Sequence, residues 1–225
     1  MTILALALGL GLDWVTVRRG AREHNLFRGL AVVLSALMGV LIVSASQRMT
    51  LYEQVYGFTD DRVMVHLFIF WFGLLFPAFL LHLFKAKQNV FAFAVLLVTI
   101  GYTGHLNLLN FDLYIAEHNI ARYHETGDLD VCYLNTLSVD ALPAILNLRE
   151  DVRERNPVLY AQLNTDLSAD WRRLNNQRDE FTLFGYNAPR EYAWHTLSAI
   201  EEVVSPSEYA GCYEVGSRLD ETLRP

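Results

Sequence analysis

The chain has 225 residues, 52% of them hydrophobic, with 18 basic and 25 acidic residues and two cysteines. Through residue 109 eight basic residues stand against five acids, a net of +3; the remainder holds ten against twenty, a net of −10, and together they make the formal −7. Two chemically different parts in one chain exclude a single soluble domain, a disordered protein, a nucleic-acid binder and a disulfide-dense miniprotein.

Four apolar stretches come first in chain order. A helix needs about 20 mostly apolar residues to cross the hydrocarbon of a bilayer. Residues 1–17 are the weakest of the four, with Asp13 inside and Arg18, Arg19 and Arg22 following. A secretory signal carries its charge ahead of the apolar run and ends at a small-residue cleavage site. This stretch does neither, so it reads as a first span with Trp14 at the inner interface. Residues 29–46 are uncharged between Arg28 and Arg48, and 63–84 hold only His66 and His82 as polar groups before Lys85 and Lys87. Residues 90–109 contain His105 and no charge. A buried helix of a soluble core would be shorter and amphipathic, so the bilayer reading is preferred.

Orientation follows from the short loops. Four Arg in 18–28 and two Lys in 85–89 place both loops in the cytoplasm, while 47–62, with two Arg against three acids, belongs outside. The N-terminus is then out, and the acidic rear lies outside the cytoplasm after four crossings of an inner (cytoplasmic) membrane.

Within the spans, Ala31, Ser35 and Gly39 recur every four residues as a smooth helix-packing stripe, within the monomer or as a dimer seam. Pro77 removes a helical hydrogen bond, so a kink is expected near Gly73–Pro77. In the outer loop, Leu51, Val55, Phe58, Tyr52 and Tyr56 keep helical spacing, which predicts a short helix lying in the interface. Gly57 ends it, and Thr59 caps the next helix with Asp60 and Asp61 in its first turn.

Residues 110–225 read as a small domain of stacked short helices, making the whole chain all-α. A helix from Asn110 to Glu125 is capped by Asp112; Thr126-Gly127-Asp128 is a turn; Asp130–Leu137 is a short helix. Ser138 and Asp140 compete to cap the next helix, and Pro143, which needs the first turn, favours Asp140. Asn156-Pro157 breaks the chain, and two helices, Asp170–Phe184 and Arg190–Val204, follow.

Four runs carry a resemblance: Leu51-Tyr52 through Tyr56-Gly57 to Arg62; Asn110 and Asp112 through Ile115-Ala116, Asn119, Arg122 and Tyr123; Asp128-Leu129-Asp130 through Tyr133-Leu134 and Leu137-Ser138 to Asp140-Ala141-Leu142-Pro143; and Asp170-Trp171-Arg172 with Asn175 and Arg178. Over roughly residues 48–185 the chain resembles a family of uncharacterised bacterial polytopic membrane proteins, catalogued as domain of unknown function 4173. The resemblance implies an integral membrane protein with a helical segment after its last span, and no catalytic residues to carry over. Members usually carry more spans upstream, so a short or N-terminally truncated member is expected.

Candidate chemistry is sparse. His66 and His105 fall at similar depth near the outer leaflet, where two imidazoles from facing helices are candidates for haem or a divalent metal; the plainer reading is that each bonds a neighbouring helix. Ile115, Asn119, Arg122 and Tyr123 share one helix face. Asn119 and Arg122 could meet Asp140, or Asp170 and Arg172, either as a lock between hairpins or as a pocket for an anionic or sugar-like ligand anchored on Arg122. Cys132 and Cys212 both fall in the part predicted outside the cytosol, where a bridge is open to them. There is no phosphate loop, serine elbow, HExxH or Cys-x-x-Cys, and no acid in the three strong spans.

The resulting expectation is an inner-membrane protein without activity or cofactor of its own, whose helical domain senses, scaffolds or binds an envelope partner. Besides lipid, its partner would be a membrane or envelope protein and not nucleic acid. A haem- or metal-binding redox protein using His66 and His105 is the alternative, and a subunit of a transporter complex a further one.

Overall fold

The computed structural model describes residues 7–11, 21–85, 90–176, 188–200 and 203, and contains helices and no strand among them. The chain divides into two compact units, Met1–Leu109 and Asn110–Pro225.

The first unit is built on α1 (Ala21–Tyr56), α2 (Asp60–Gly73), α3 (Leu75–Lys85) and α4 (Val90–Leu108). Three stretches of the described residues are long and apolar enough to cross a membrane: Arg22–Tyr56, Asp60–Phe84 and Val90–Leu108. Of the first expected span, residues 1–17, only 7–11 are described; they are helical, with Leu10 packed on the unit's core. The unit's surface is apolar. All but Val158 and Tyr192 among the exposed large hydrophobic side chains belong to it. Water would penalise such an exterior and hydrocarbon does not, while helices satisfy their own backbone polar groups there. This is a membrane protein.

α1 differs from the expected 29–46 span followed by a separate interfacial helix: it is one helix of 36 residues. Nothing between Ser46 and Thr50 breaks it, since no Gly or Pro occurs there and the Thr50 hydroxyl bonds back to the Ser46 carbonyl. At about 1.5 Å per residue it exceeds the hydrocarbon thickness. Tyr52 and Tyr56 stack on this extension with centroids 5.9 Å apart. As expected, Gly57 ends the helix, at φ 80°, and Arg62 donates to the Tyr56 and Gly57 carbonyls. Thr59 holds the N-cap position of α2 with Asp60 and Asp61 in the first turn, but its side chain makes no cap bond. The expected kink falls between α2 and α3 at Leu74, three residues before Pro77. Pro77 has no N–H to give, and its ring crowds the Gly73 carbonyl.

Phe79, 2% exposed, centres a cluster with Ala31, Met38, Leu75, Phe76, Leu83 and Val98. Ala31 and Ser35 of the stripe are buried within the monomer. At the other end of α1, Arg28 donates to the Leu83 carbonyl at 2.9 Å and lies over the Phe84 ring. Positive charge is thus placed where the last carbonyls of α3 point. α4 packs against α2 through Gly101, where an added Cβ would collide with the Trp71 ring. Gly101→Ala is therefore expected to cost about 1–3 kcal/mol by overpacking. A lower thermal aggregation midpoint in detergent would register it, and an unchanged midpoint would contradict this packing.

The second unit comprises α5 (Phe111–Thr126), α6 (Val131–Leu134), a 3-10 turn (Val139–Ala141), α7 (Leu142–Arg155), α8 (Pro157–Asn176) and α9 (Ala188–Ser198). Asn110, not Asp112, caps α5, its side chain accepting from the Leu113 N–H. Asp112 instead accepts from the Ser138 N–H, 26 residues away. Gly127 closes α5 in the left-handed region at φ 73°. Asp130 caps α6, which is shorter than expected. Ser138 rather than Asp140 is the capping residue: it accepts from the Asp140 N–H and starts the 3-10 turn, and α7 follows with Pro143 in its first turn. α8 begins at Pro157, well before the expected Asp170, because Leu159, Leu163 and Leu167 already run at helical spacing. Residues 177–187, which hold the expected end at Phe184, lie outside the described residues. The expected Arg190–Val204 helix is α9, over Ala188–Ser198.

α5, α7, α8 and α9 pack in sequence. Small buried residues, Ala116, Ala141 and Ala144, let α5 approach the 3-10 turn and α7. Leu148, Val152, Leu159 and Leu163 fill the α7–α8 seam, and Leu167, Leu174, Ala193 and Leu197 fill the α8–α9 seam. Trp171 adds an indole N–H bond to the Ser198 hydroxyl at 3.0 Å.

Candidate functional site

The turn at Gly57 folds α1 and α2 into an antiparallel pair. Ser46 and Glu53 are seven residues apart on α1, hence on one face. Opposite them α2 presents His66. The Ser46 hydroxyl lies 2.9 Å from His66 Nε2. The other ring nitrogen, Nδ1, lies 3.3 Å from both carboxylate oxygens of Glu53. Glu53 is 4% exposed, whereas the His66 side chain is 33% exposed. The tautomer that satisfies both contacts carries its proton on Nδ1 toward Glu53 and accepts from Ser46 at Nε2.

Ser46 and His66 line one end of a groove of about 580 Å³ between α1 and the α2–α3 pair, whose walls are mainly apolar groups such as Val32, Ile42, Phe70 and Leu80. Ser35 and Gly39 of the expected stripe also line it. Ser35 is 6% exposed and its hydroxyl has no hydrogen-bond partner.

Sequence reasoning named His66 and missed its two partners. It ended the span at Ser46 and put Glu53 in a loop, which hid their heptad relation. An acidic residue consequently stands on a spanning helix where none was expected. His105 has a different neighbour: its Nδ1 accepts from the Trp71 indole at 3.4 Å. The two imidazoles each bond a neighbouring helix, and no group of three or more metal-binding side chains occurs among the described residues.

In the second unit the expected polar cluster is dispersed. Arg122 is taken by Asp128, with a guanidinium nitrogen 2.8 Å from the carboxylate and a second bond to the Asp128 backbone carbonyl. The left-handed Gly127 swings the chain back over the last turn of α5 and delivers Asp128 there. Asn119 is buried on the α5 face it shares with Ile115, and the Tyr123 hydroxyl accepts from Asn156 at 3.4 Å. Asp140 sits in the 3-10 turn, Arg172 is exposed, and Asp170 faces Arg173 at 3.7 Å.

Burial pushes the Asp170 carboxyl up from 3.8 to about 6, against the attraction of Arg173 and with help from Asp166. A native value above the unfolded one means the folded unit binds this proton more tightly. That stabilisation is complete below about pH 4 and is lost as the pH rises through about 6. Asp170→Asn is expected to flatten this part of the profile and to stabilise the unit by about 1 kcal/mol at pH 7.5, after allowance for solvent screening. Urea midpoints at pH 4.5 and 7.5 would reveal it; an equal pH dependence in the variant would refute it.

The polar centre that the sequence did not reveal is Arg149, 3% exposed. Its guanidinium donates to Asn164 at 2.6 Å, to the Tyr160 hydroxyl at 2.9 Å and to Glu150, and it lies 4.8 Å from the Tyr160 ring centroid. Cys132 is exposed on α6 and bonded in a disulfide; Cys212 lies outside the described residues.

Among known proteins, the model of the family described as "Domain of unknown function (DUF4153)" matches residues 1–148. This corrects the number read from the sequence, 4173, while leaving the chain in an uncharacterised-domain family. The match ends in α7, so the Asp170–Arg178 run lies beyond it. No curated protein and no solved structure matches the chain.

Proposed function

The chain belongs to the DUF4153 family of domains of unknown function, and on that premise we propose an inner-membrane protein whose second unit lies outside the cytoplasm and binds a protein partner of the cell envelope. The disulfide at Cys132 carries the placement, because such bonds persist outside the reducing cytosol. The four Arg of residues 18–28 and the two Lys of 85–89, both loops on the opposite side of the spans from this unit, agree with it. Binding through the exterior is favoured because the guanidinium groups held within the unit are engaged: Arg122 with the exposed Asp128, and Arg149 with Asn164, Tyr160 and Glu150. The remaining acidic surface suits a partner with a basic face, steered by charge and weakened by salt.

Protease added to intact spheroplasts is expected to cleave within the second unit and to spare it in inverted vesicles. The reverse pattern overturns the orientation. Crosslinking in native membranes should then give an adduct from the second unit whose yield falls as ionic strength rises from 50 to 500 mM; a salt-independent adduct, or none, would count against an acidic docking face.

A further inference from the structure

The groove and the Ser46–His66–Glu53 trio have a use that partner binding does not supply. A serine hydroxyl is a poor nucleophile until a base accepts its proton, and that base works best when a third group fixes its tautomer and ring orientation. The trio places those three parts in order: hydroxyl to Nε2 at 2.9 Å, and Nδ1 to a buried carboxylate at 3.3 Å. The second contact is loose, as is common before substrate binds.

Position decides the substrate class. Ser46 lies 18 residues beyond Arg28 on one helix, about 27 Å along the axis and so close to the full depth of the hydrocarbon. With Arg28 at one face, Ser46 sits near the other, where the ester groups of lipids lie. From Ser46 the groove runs down α1 as far as Val32, about 21 Å away at 1.5 Å per residue. Its walls are apolar and its depth holds the unpartnered Ser35 hydroxyl. A mainly apolar channel with a hydroxyl–imidazole pair at its mouth fits a chain with a reactive head.

We propose that Ser46, His66 and Glu53 form an acyl-transfer site for a lipid ester whose acyl chain occupies the groove. The Ser46 oxygen attacks the ester carbonyl carbon as its proton passes to His66 Nε2. The carbon–oxygen bond to the lipid alcohol breaks, and His66 returns that proton to the departing oxygen, leaving acyl-Ser46. Water then attacks the acyl carbon, His66 takes its proton and gives it to the Ser46 oxygen, and a carboxylic acid leaves; a second alcohol in place of water gives a new ester. Glu53 is a positioning residue acting through the imidazole. This inference rests on the membrane reading of the first unit and is independent of partner binding by the second.

The test uses the full chain in detergent or nanodiscs with a long-chain alkyl fluorophosphonate. One adduct is expected, on the Ser46 peptide by mass spectrometry, absent in Ser46→Ala and retained in Ser44→Ala. His66→Gln keeps hydrogen-bonding groups but transfers no proton, and should slow labelling by at least 100-fold with the protein still monodisperse. Glu53→Gln should slow it as well, with partial rescue by Glu53→Asp, which a purely structural clamp would not require. Gly39→Leu fills the groove and should turn the preference among nitrophenyl esters from long to short chains. Unlabelled wild-type protein, or labelling indifferent to His66→Gln, overturns the proposal even if the membrane topology stands.

Discussion

Arg149→Ala is expected to destabilise the second unit by about 3 kcal/mol, roughly 10 °C in its melting midpoint. The substitution removes charge-assisted bonds to Asn164 and Tyr160 and leaves a cavity between α7 and α8. Arg149→Met separates the two causes, since it restores most of the volume and none of the hydrogen bonds. It should cost about 1 kcal/mol, and the double variant Arg149→Met with Asn164→Leu should recover that, because no acceptor is then left buried alone. Thermal or urea unfolding of the full chain, followed by tryptophan fluorescence from Trp171 and Trp194, reads all three. Equal losses for Ala and Met would assign the effect to hydrogen bonding alone and not to packing.

Reduction of the disulfide is the other large effect. If Cys132 is joined to Cys212, the closed loop of about 80 residues stabilises the second unit by about 4 kcal/mol in the chain-entropy account. Unreduced protein extracted from membranes should contain no free thiol and should shift by two hydrogens in mass on reduction. Its urea midpoint should fall with a phosphine reductant and in Cys132→Ser alike. Two free thiols in the unreduced folded protein would dismiss the bridge and remove the chief support for placing this unit outside the cytoplasm.

Legibility varied with the range of the interaction concerned. Gly57, Gly127 and Pro77 act where the sequence put them, because each turn or kink depends on a few adjacent residues. The caps that changed hands show the limit. Asp112 and Asp140 have the right chemistry for an N-cap, yet Asp112 is drawn to the Ser138 backbone and Ser138 starts a 3-10 turn one step earlier. Two neighbours with similar propensity are decided by what packs on them. Arg122 was legible as an anchor and not as a partner of Asp128, since which way its guanidinium turns depends on where Gly127 sends the chain.

The sequence by itself determined that the first part of the chain is solvated by lipid, that the described elements are helices, and where single residues such as Gly57 and Gly127 end them. Those properties are sums over local windows or follow from single residues with restricted backbones. Tertiary structure alone decided that Ser46 and Glu53 meet His66, that Arg149 is buried, and that Ser35 and Gly39 of the small-residue stripe line a groove. The reason is geometric: each residue turns a helix by about 100°, so which side chains meet across two helices depends on exact length and rotation. Ten more residues of unbroken α1 than the sequence suggested brought Glu53 onto the face that holds Ser46.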